Sequence, residues 1–157
     1  MEHLRCRTTD LPKYLYRVQY TNCATRWSTD GLFAVDGSTM YGNNDINALA
    51  ESVERQFNWS NRRVTPWISL FSDYDHAKNW ALRSYDSDGK EFTLLTVDTS
   101  RCTAVCTFKL ETLRQELNLR IPHGARSHLP GCYLALHRIP DDAIVSVQTH
   151  YDICNGK

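Results

Sequence analysis

A thiol becomes a useful nucleophile when a base takes its proton and a third group orients that base. Cys132 has candidates for both tasks nearby: His123, His128 and His137 as bases, and Asp141 and Asp142 as orienting groups. The arrangement is generic, since no local signature of a cysteine hydrolase surrounds Cys132, and a buried, inert thiol is the simpler expectation. The segment His123-Gly124-Ala125-Arg126-Ser127-His128 is polar, so residues 122–131 are predicted as an exposed loop, either a cap on an active site or a connector. His137 follows Leu136 in a strand pattern and is predicted to face outward. Cysteines stand at 6, 23, 102, 106, 132 and 154. Only Cys102 and Cys106 are close, and no second close pair or paired histidines complete a zinc set. Trp59 and Trp67 with Arg62 and Arg63 offer the stacking faces and charge that hold single-stranded nucleic acid.

The bulk composition limits these options. Lys plus Arg and Asp plus Glu are both 18, so the formal net charge is zero. That argues against a broad grip on phosphates, which needs surplus cations, while leaving room for a local basic pocket. The length of 157 residues fits a single domain over 1–157. The first residues, Met1-Glu2-His3-Leu4-Arg5-Cys6-Arg7, lack the apolar region of a secretory signal. No run reaches the roughly 18 apolar residues of a membrane helix. The expectation is a soluble, cytoplasmic or otherwise intracellular protein with reduced thiols and no membrane partner. The sequon Asn58-Trp59-Ser60 would then go unused.

The elements that must position any site are legible in outline. Residues 14–20 are rich in aromatic and β-branched types and read as a strand. Asp30-Gly31 marks a turn. Asp45 opens a helix in which Ile46, Leu49, Val53 and Phe57 share one face. Val64 to Phe71 reads as a buried strand. Ser72 and Asp75 form a capping box for a helix that turns Ala77, Trp80 and Ala81 inward. Asp86 to Gly89 is a turn, Phe92 to Val97 a strand, and Thr103 to Phe108 another. Leu110, Leu113 and Leu117 define a short helix, and Tyr133 to Arg138 and Ala143 to Val147 two late strands. Strands before and after the helices, without strict alternation, predict an α+β architecture.

Three of these segments, in this order, resemble the cholera-toxin and heat-labile-enterotoxin branch of the mono-ADP-ribosyltransferases. Leu15-Tyr16-Arg17, followed by Gly31-Leu32, is similar to that family's Tyr-Arg strand and its Gly-Leu or Gly-Phe turn. Trp67-Ile68-Ser69-Leu70-Phe71 stands where the family has its Ser-Thr-Ser strand. Ala135-Leu136-His137-Arg138-Ile139-Pro140 is close to the family's Ala-Leu-Gly-Gly-Ile-Pro. The resemblance spans roughly residues 14–147, and the same signature resembles uncharacterised fungal domains.

The resemblance implies a split β-sheet core with flanking helices, NAD as substrate, and a protein as the possible acceptor of ADP-ribose. Bond cleavage between nicotinamide and ribose passes through an oxocarbenium-like state, as in glycoside hydrolysis. Arg17 matches the arginine that holds the pyrophosphate, a role suited to a guanidinium fork. Ser69 matches the first serine of Ser-Thr-Ser, which orders the ribose end; Leu70 and Phe71 depart from that motif, and Phe71 is either a ring for nicotinamide or, more simply, an ordinary core aromatic. The departure is the acid. Counted back from Ala135-Leu136, the family's glutamate falls on Cys132, and the acid two residues earlier falls on Pro130. A thiol does not replace a carboxylate at neutral pH. Asp141, Asp142, Glu111 and Glu116 are the nearest acids in sequence. Two functions therefore compete: an ADP-ribosyltransferase or NAD glycohydrolase with another carboxylate, and a catalytically degenerate binding or regulatory module. An unrelated cysteine-dependent hydrolase is a third.

Overall fold

The fold follows from strands whose two faces are both apolar. In β1 (Tyr14–Tyr20), Leu15 is buried on one side and Val18 on the other. In β4 (Trp67–Phe71), Trp67 and Phe71 face one way and Ile68 and Leu70 the other, as a period of two requires. Such strands need cover on both sides. The computed structural model, which describes residues 2–58 and 64–156, supplies that cover with helices on one face and a second sheet on the other.

The large sheet is antiparallel and six-stranded, in the order β6-β7-β4-β1-β5-β9. Besides β1 and β4 it contains β5 (Phe92–Asp98), β6 (Thr107–Lys109), β7 (Cys132–Leu136) and β9 (Ile144–Thr149). The small sheet joins β2 (Arg26–Ser28), β3 (Gly31–Phe33) and β8 (Arg138–Pro140) in the order β2-β3-β8. The helices are α1 (Ile46–Gln56), α2 (Tyr74–Asp88), α3 (Leu110–Leu117) and a short α4 (His150–Cys154). The protein is α+β, with antiparallel sheets and flanking helices.

Two cores result. Leu49 and Val53 of α1, Ala77 and Ala81 of α2, and Leu110 and Leu113 of α3 pack on Trp67, Phe71, Leu94 and Leu134 of the large sheet. On the other face, Leu15, Ile68, Leu70, Leu95 and Tyr133 pack against Leu32 and Ile139 of the small sheet.

The ladder that decides the site is the one between β1 and β4. β1 runs beside β5 from Tyr14↔Asp98 to Tyr20↔Phe92, and β4 runs beside β7 from Trp67↔Leu136 to Phe71↔Cys132. β1 and β4 themselves meet only at Tyr16↔Phe71. Beyond that pair the large sheet splits.

The link between the sheets is equally local. His137 lies between β7 and β8 with φ +66. Its N–H donates to the Pro66 carbonyl at 2.8 Å, and its carbonyl accepts from the Ala34 N–H at 2.8 Å. One left-handed residue thus carries the chain from one sheet to the other. Gly31, with φ +123, tolerates no side chain, because a Cβ would stand 2.1 Å from the Ile139 carbonyl oxygen.

Several local expectations are corrected. Asp73, not Ser72, caps α2, its side chain accepting from the His76 N–H at 3.1 Å. The segment 103–106 is a turn, and β6 begins only at Thr107. Residues 123–131 form a run of 3-10 turns that is largely exposed, as expected, but buries Ala125 and His128. His137 does not face outward freely: it is half-buried and its Nε2 lies 2.6 Å from the Thr39 carbonyl oxygen. Among the described residues no helix is long and apolar enough to cross a membrane.

Candidate functional site

The split between β1 and β4 opens onto a cleft of about 1270 Å³ lined by Arg17, Gln56, Ser69, Phe71, Trp80 and His128, among others. Arg17 is the residue the split accommodates. By alternation it belongs with Leu15 on the small-sheet face of β1, whereas Ser69 lies between Trp67 and Phe71 on the helix-facing side of β4. In an intact ladder the two side chains would be separated by the sheet. Here the Arg17 Nη1 crosses the gap and donates to the Ser69 backbone carbonyl at 3.1 Å, a carbonyl that β1 no longer serves. The Arg17 Nε donates to the Gln19 Oε1 at 3.1 Å, and the Gln19 amide donates to the Thr25 carbonyl at 2.6 Å.

Arg17 makes no ion pair with a carboxylate among the described residues. Burial pulls its pKa down, partly opposed by Cys23, Tyr20 and Cys132. A guanidinium keeps its charge through such a shift, so the cleft contains a cation that pairs with no described carboxylate.

Ser69 is positioned by Gln56, the last residue of α1. The Gln56 Nε2 donates to the Ser69 Oγ at 3.0 Å and to the Trp67 carbonyl at 3.3 Å, and its Oε1 accepts from the Thr65 hydroxyl. Phe71 presents its ring to His76 edge-on at 5.4 Å and to His128 at 5.2 Å, measured between centroids. Phe71 and Ser69 therefore share the cleft with Arg17.

Cys132 does not share it. The residue is completely buried and is not part of the cleft lining. Its thiol makes a long hydrogen bond of 3.8 Å to the Tyr133 carbonyl and also feels the Leu70 backbone. Burial pushes its pKa up to about 12, and the charge of Arg17 offsets only part of this. A neutral thiol in that position neither attacks nor stabilises a cation. Asp141 and Asp142 are exposed on a turn at Asp141–Ala143, and Glu111 and Glu116 belong to α3; none of the four lines the cleft. The described acids that do are Asp88 and Glu91, accompanied by the cations Arg55, Arg83 and Lys90.

The histidines also sort differently from their order in sequence. His128 lies against Trp80, its ring centroid 4.5 Å from that of the indole. Its Nδ1 faces the Nε2 of His76 at 2.9 Å. Burial and then the field of His76 push the His128 pKa down to about 4. Neither ring approaches Cys132 by hydrogen bond, so the generic Cys-His reading has no geometry behind it.

Residue type alone did not single out Gln56, His76 or Tyr20. The Tyr20 hydroxyl is buried without a hydrogen-bond partner among the described residues, and Tyr20 lines the cleft. A buried polar group of this kind is uncommon in folded proteins. Trp67, offered above as a stacking platform, is core: its indole N–H donates to the Ser52 hydroxyl at 2.9 Å and its ring stacks on Tyr41. Trp59, Ser60, Arg62 and Arg63 lie outside the described residues. The described residues contain no cluster of three or more metal-ligating side chains.

No curated protein matches the chain. Residues 10–153 match the family described as a domain of unknown function, DUF7587. That match covers nearly the whole of the sequence, and the chain belongs to this family.

Proposed function

We propose that this protein is an ADP-ribosyltransferase-like module that binds NAD in the split between β1 and β4 and does not turn it over. The observation that carries the reading is the guanidinium of Arg17, paired with no described carboxylate and sitting in the gap beside Ser69 on the wall of an open cleft. A cation in a partly desolvated cleft is matched by a diphosphate, to which a guanidinium presents paired donors. The Ser69 hydroxyl then faces the ribose end and Phe71 supplies a ring for nicotinamide.

Turnover needs a carboxylate against the developing positive charge. The matching position is the buried thiol of Cys132, held neutral far above physiological pH. The binding reading follows from that absence. One observation favours the enzymatic alternative, an ADP-ribosyltransferase or NAD glycohydrolase: Asp88 and Glu91 line the same cleft.

Two measurements decide. Calorimetric titration with NAD should give saturable binding that Arg17→Ala weakens at least about tenfold, as expected for loss of a charge-assisted contact. Nicotinamide release should stay at the level of buffer alone. Binding untouched by Arg17→Ala removes the proposal. Nicotinamide release abolished by Asp88→Asn or Glu91→Gln establishes the enzymatic reading instead. An intracellular setting accompanies this proposal, because all six cysteines are free thiols, as a reducing compartment keeps them.

A further inference from the structure

The His76–His128 pair joins two parts of the fold that no β-ladder connects. His76 belongs to α2, and His128 to the 3-10 segment His123–Gly131. Their facing nitrogens are 2.9 Å apart. Phe71 of β4 and Trp80 of α2 enclose His128, and His128 is part of the cleft wall. Such a contact holds only while one nitrogen donates and the other accepts. If both nitrogens carry protons there is no acceptor, and two cations face one another in an apolar surround.

We infer that this pair is a proton-operated latch: it keeps His123–Gly131 docked on α2 while the two facing nitrogens share a single proton, and it releases that segment and widens the cleft when each nitrogen carries its own.

The described elements packed against the pair carry the following charges. From β4 the pair meets Phe71, which carries no charge. From β1, Arg17 faces the same cleft and adds positive charge. On α2, Asp73 accepts from the His76 backbone N–H, and Asp75 is paired with Lys78 at 3.8 Å. On the segment itself, His123 and Arg126 are exposed cations or potential cations. The low basicity of His128 agrees with this environment. Elsewhere the segment is held by the Gly131 carbonyl accepting from the Ser72 N–H at 2.8 Å, by buried Ala125 and partly buried Leu129, and by packing against α3. The latch rests on the histidine contact and not on the identity of any ligand of the cleft.

The test is amide hydrogen exchange followed by NMR on the full chain, corrected for the intrinsic pH dependence of exchange. Between about pH 7 and about pH 4.5, protection in residues 123–131 should fall at least about tenfold, while β5 remains at least about tenfold better protected than that segment throughout. His128→Phe fills the aromatic site without a titrating nitrogen and should abolish the change. If that variant fails to fold, His76→Asn removes the second charge while leaving His128 buried, and should reduce the change without abolishing it. The latch is refuted if protection of 123–131 does not respond to pH, if a folded variant responds as the natural sequence does, or if 123–131 and β5 show equal protection at low pH, as opening by global unfolding alone would give.

Discussion

The guanidinium of Arg17 and the carbonyl of Ser69 are joined at 3.1 Å across a gap where two neighbouring strands have stopped pairing. A side chain thereby takes the place of a ladder donor, which ties the stability of the fold to the same group that is offered to an anion.

Arg17→Met therefore affects two properties at once. It strands the buried Ser69 carbonyl, with an expected loss of about 1–3 kcal/mol of stability. Chemical denaturation should register that loss without ligand. Any NAD-dependent rise in melting temperature seen for the natural sequence should shrink by a separate, larger factor. Equal melting temperatures for the two proteins would remove the structural role assigned to Arg17.

Gln56→Leu tests the clamp on Ser69. The substitution keeps the stem of the side chain and deletes the contacts to Ser69 Oγ, the Trp67 carbonyl and Thr65. About 1–3 kcal/mol of destabilisation is expected from the groups left unpaired, measured by urea unfolding. On the binding proposal, NAD affinity falls as well, because the Ser69 hydroxyl loses its orientation.

Acidification should destabilise the fold through His128. Its folded pKa is lowered from 6.5 to about 4, so between those values the unfolded chain binds the extra proton. Stability is then fully present above the unfolded value and declines as pH falls towards about 4, after which this contribution is constant. The full span corresponds to at most about 3 kcal/mol. Urea midpoints across that range should be flatter for His128→Phe than for the natural sequence.

Thiol labelling should rank the cysteines by exposure and ionisation. Cys154 is exposed and should react first with a disulfide reagent, whereas Cys132 is fully buried with its pKa near 12. At pH 8 only about one Cys132 thiol in ten thousand is ionised. Rapid modification of Cys132 under native conditions would contradict the packing described for β7.

Gly31→Ala examines the junction of the two sheets. The added methyl meets the Ile139 carbonyl oxygen at 2.1 Å, on a residue with φ +123. A loss of about 2–4 kcal/mol is expected, since both the backbone strain and the clash must be relieved by parting β3 from β8. Thermal unfolding measures it directly.

Local pattern carried much of the fold. The aromatic and β-branched run at 14–20, the helical stripe Ile46, Leu49, Val53, and the leucines of α3 each state their element, because propensity and periodicity are properties of neighbours in the chain. Segment 122–131 was only partly legible for the same reason: its polar composition predicts a loop, and nothing local reveals that Phe71 and Trp80 close around His128.

The residue types of Arg17, Ser69, Phe71 and Cys132, and the alternation that buries or faces them, were readable from order along the chain. Which of them meet was not. A strand pattern places Arg17 and Ser69 on opposite sides of a sheet, and only the failure of β1 and β4 to pair beyond Tyr16↔Phe71 brings them to one cleft. The same tertiary packing draws His76 to His128 and seals Cys132 away. Register between distant strands is an outcome of the whole core, so it leaves no mark on any single stretch of sequence.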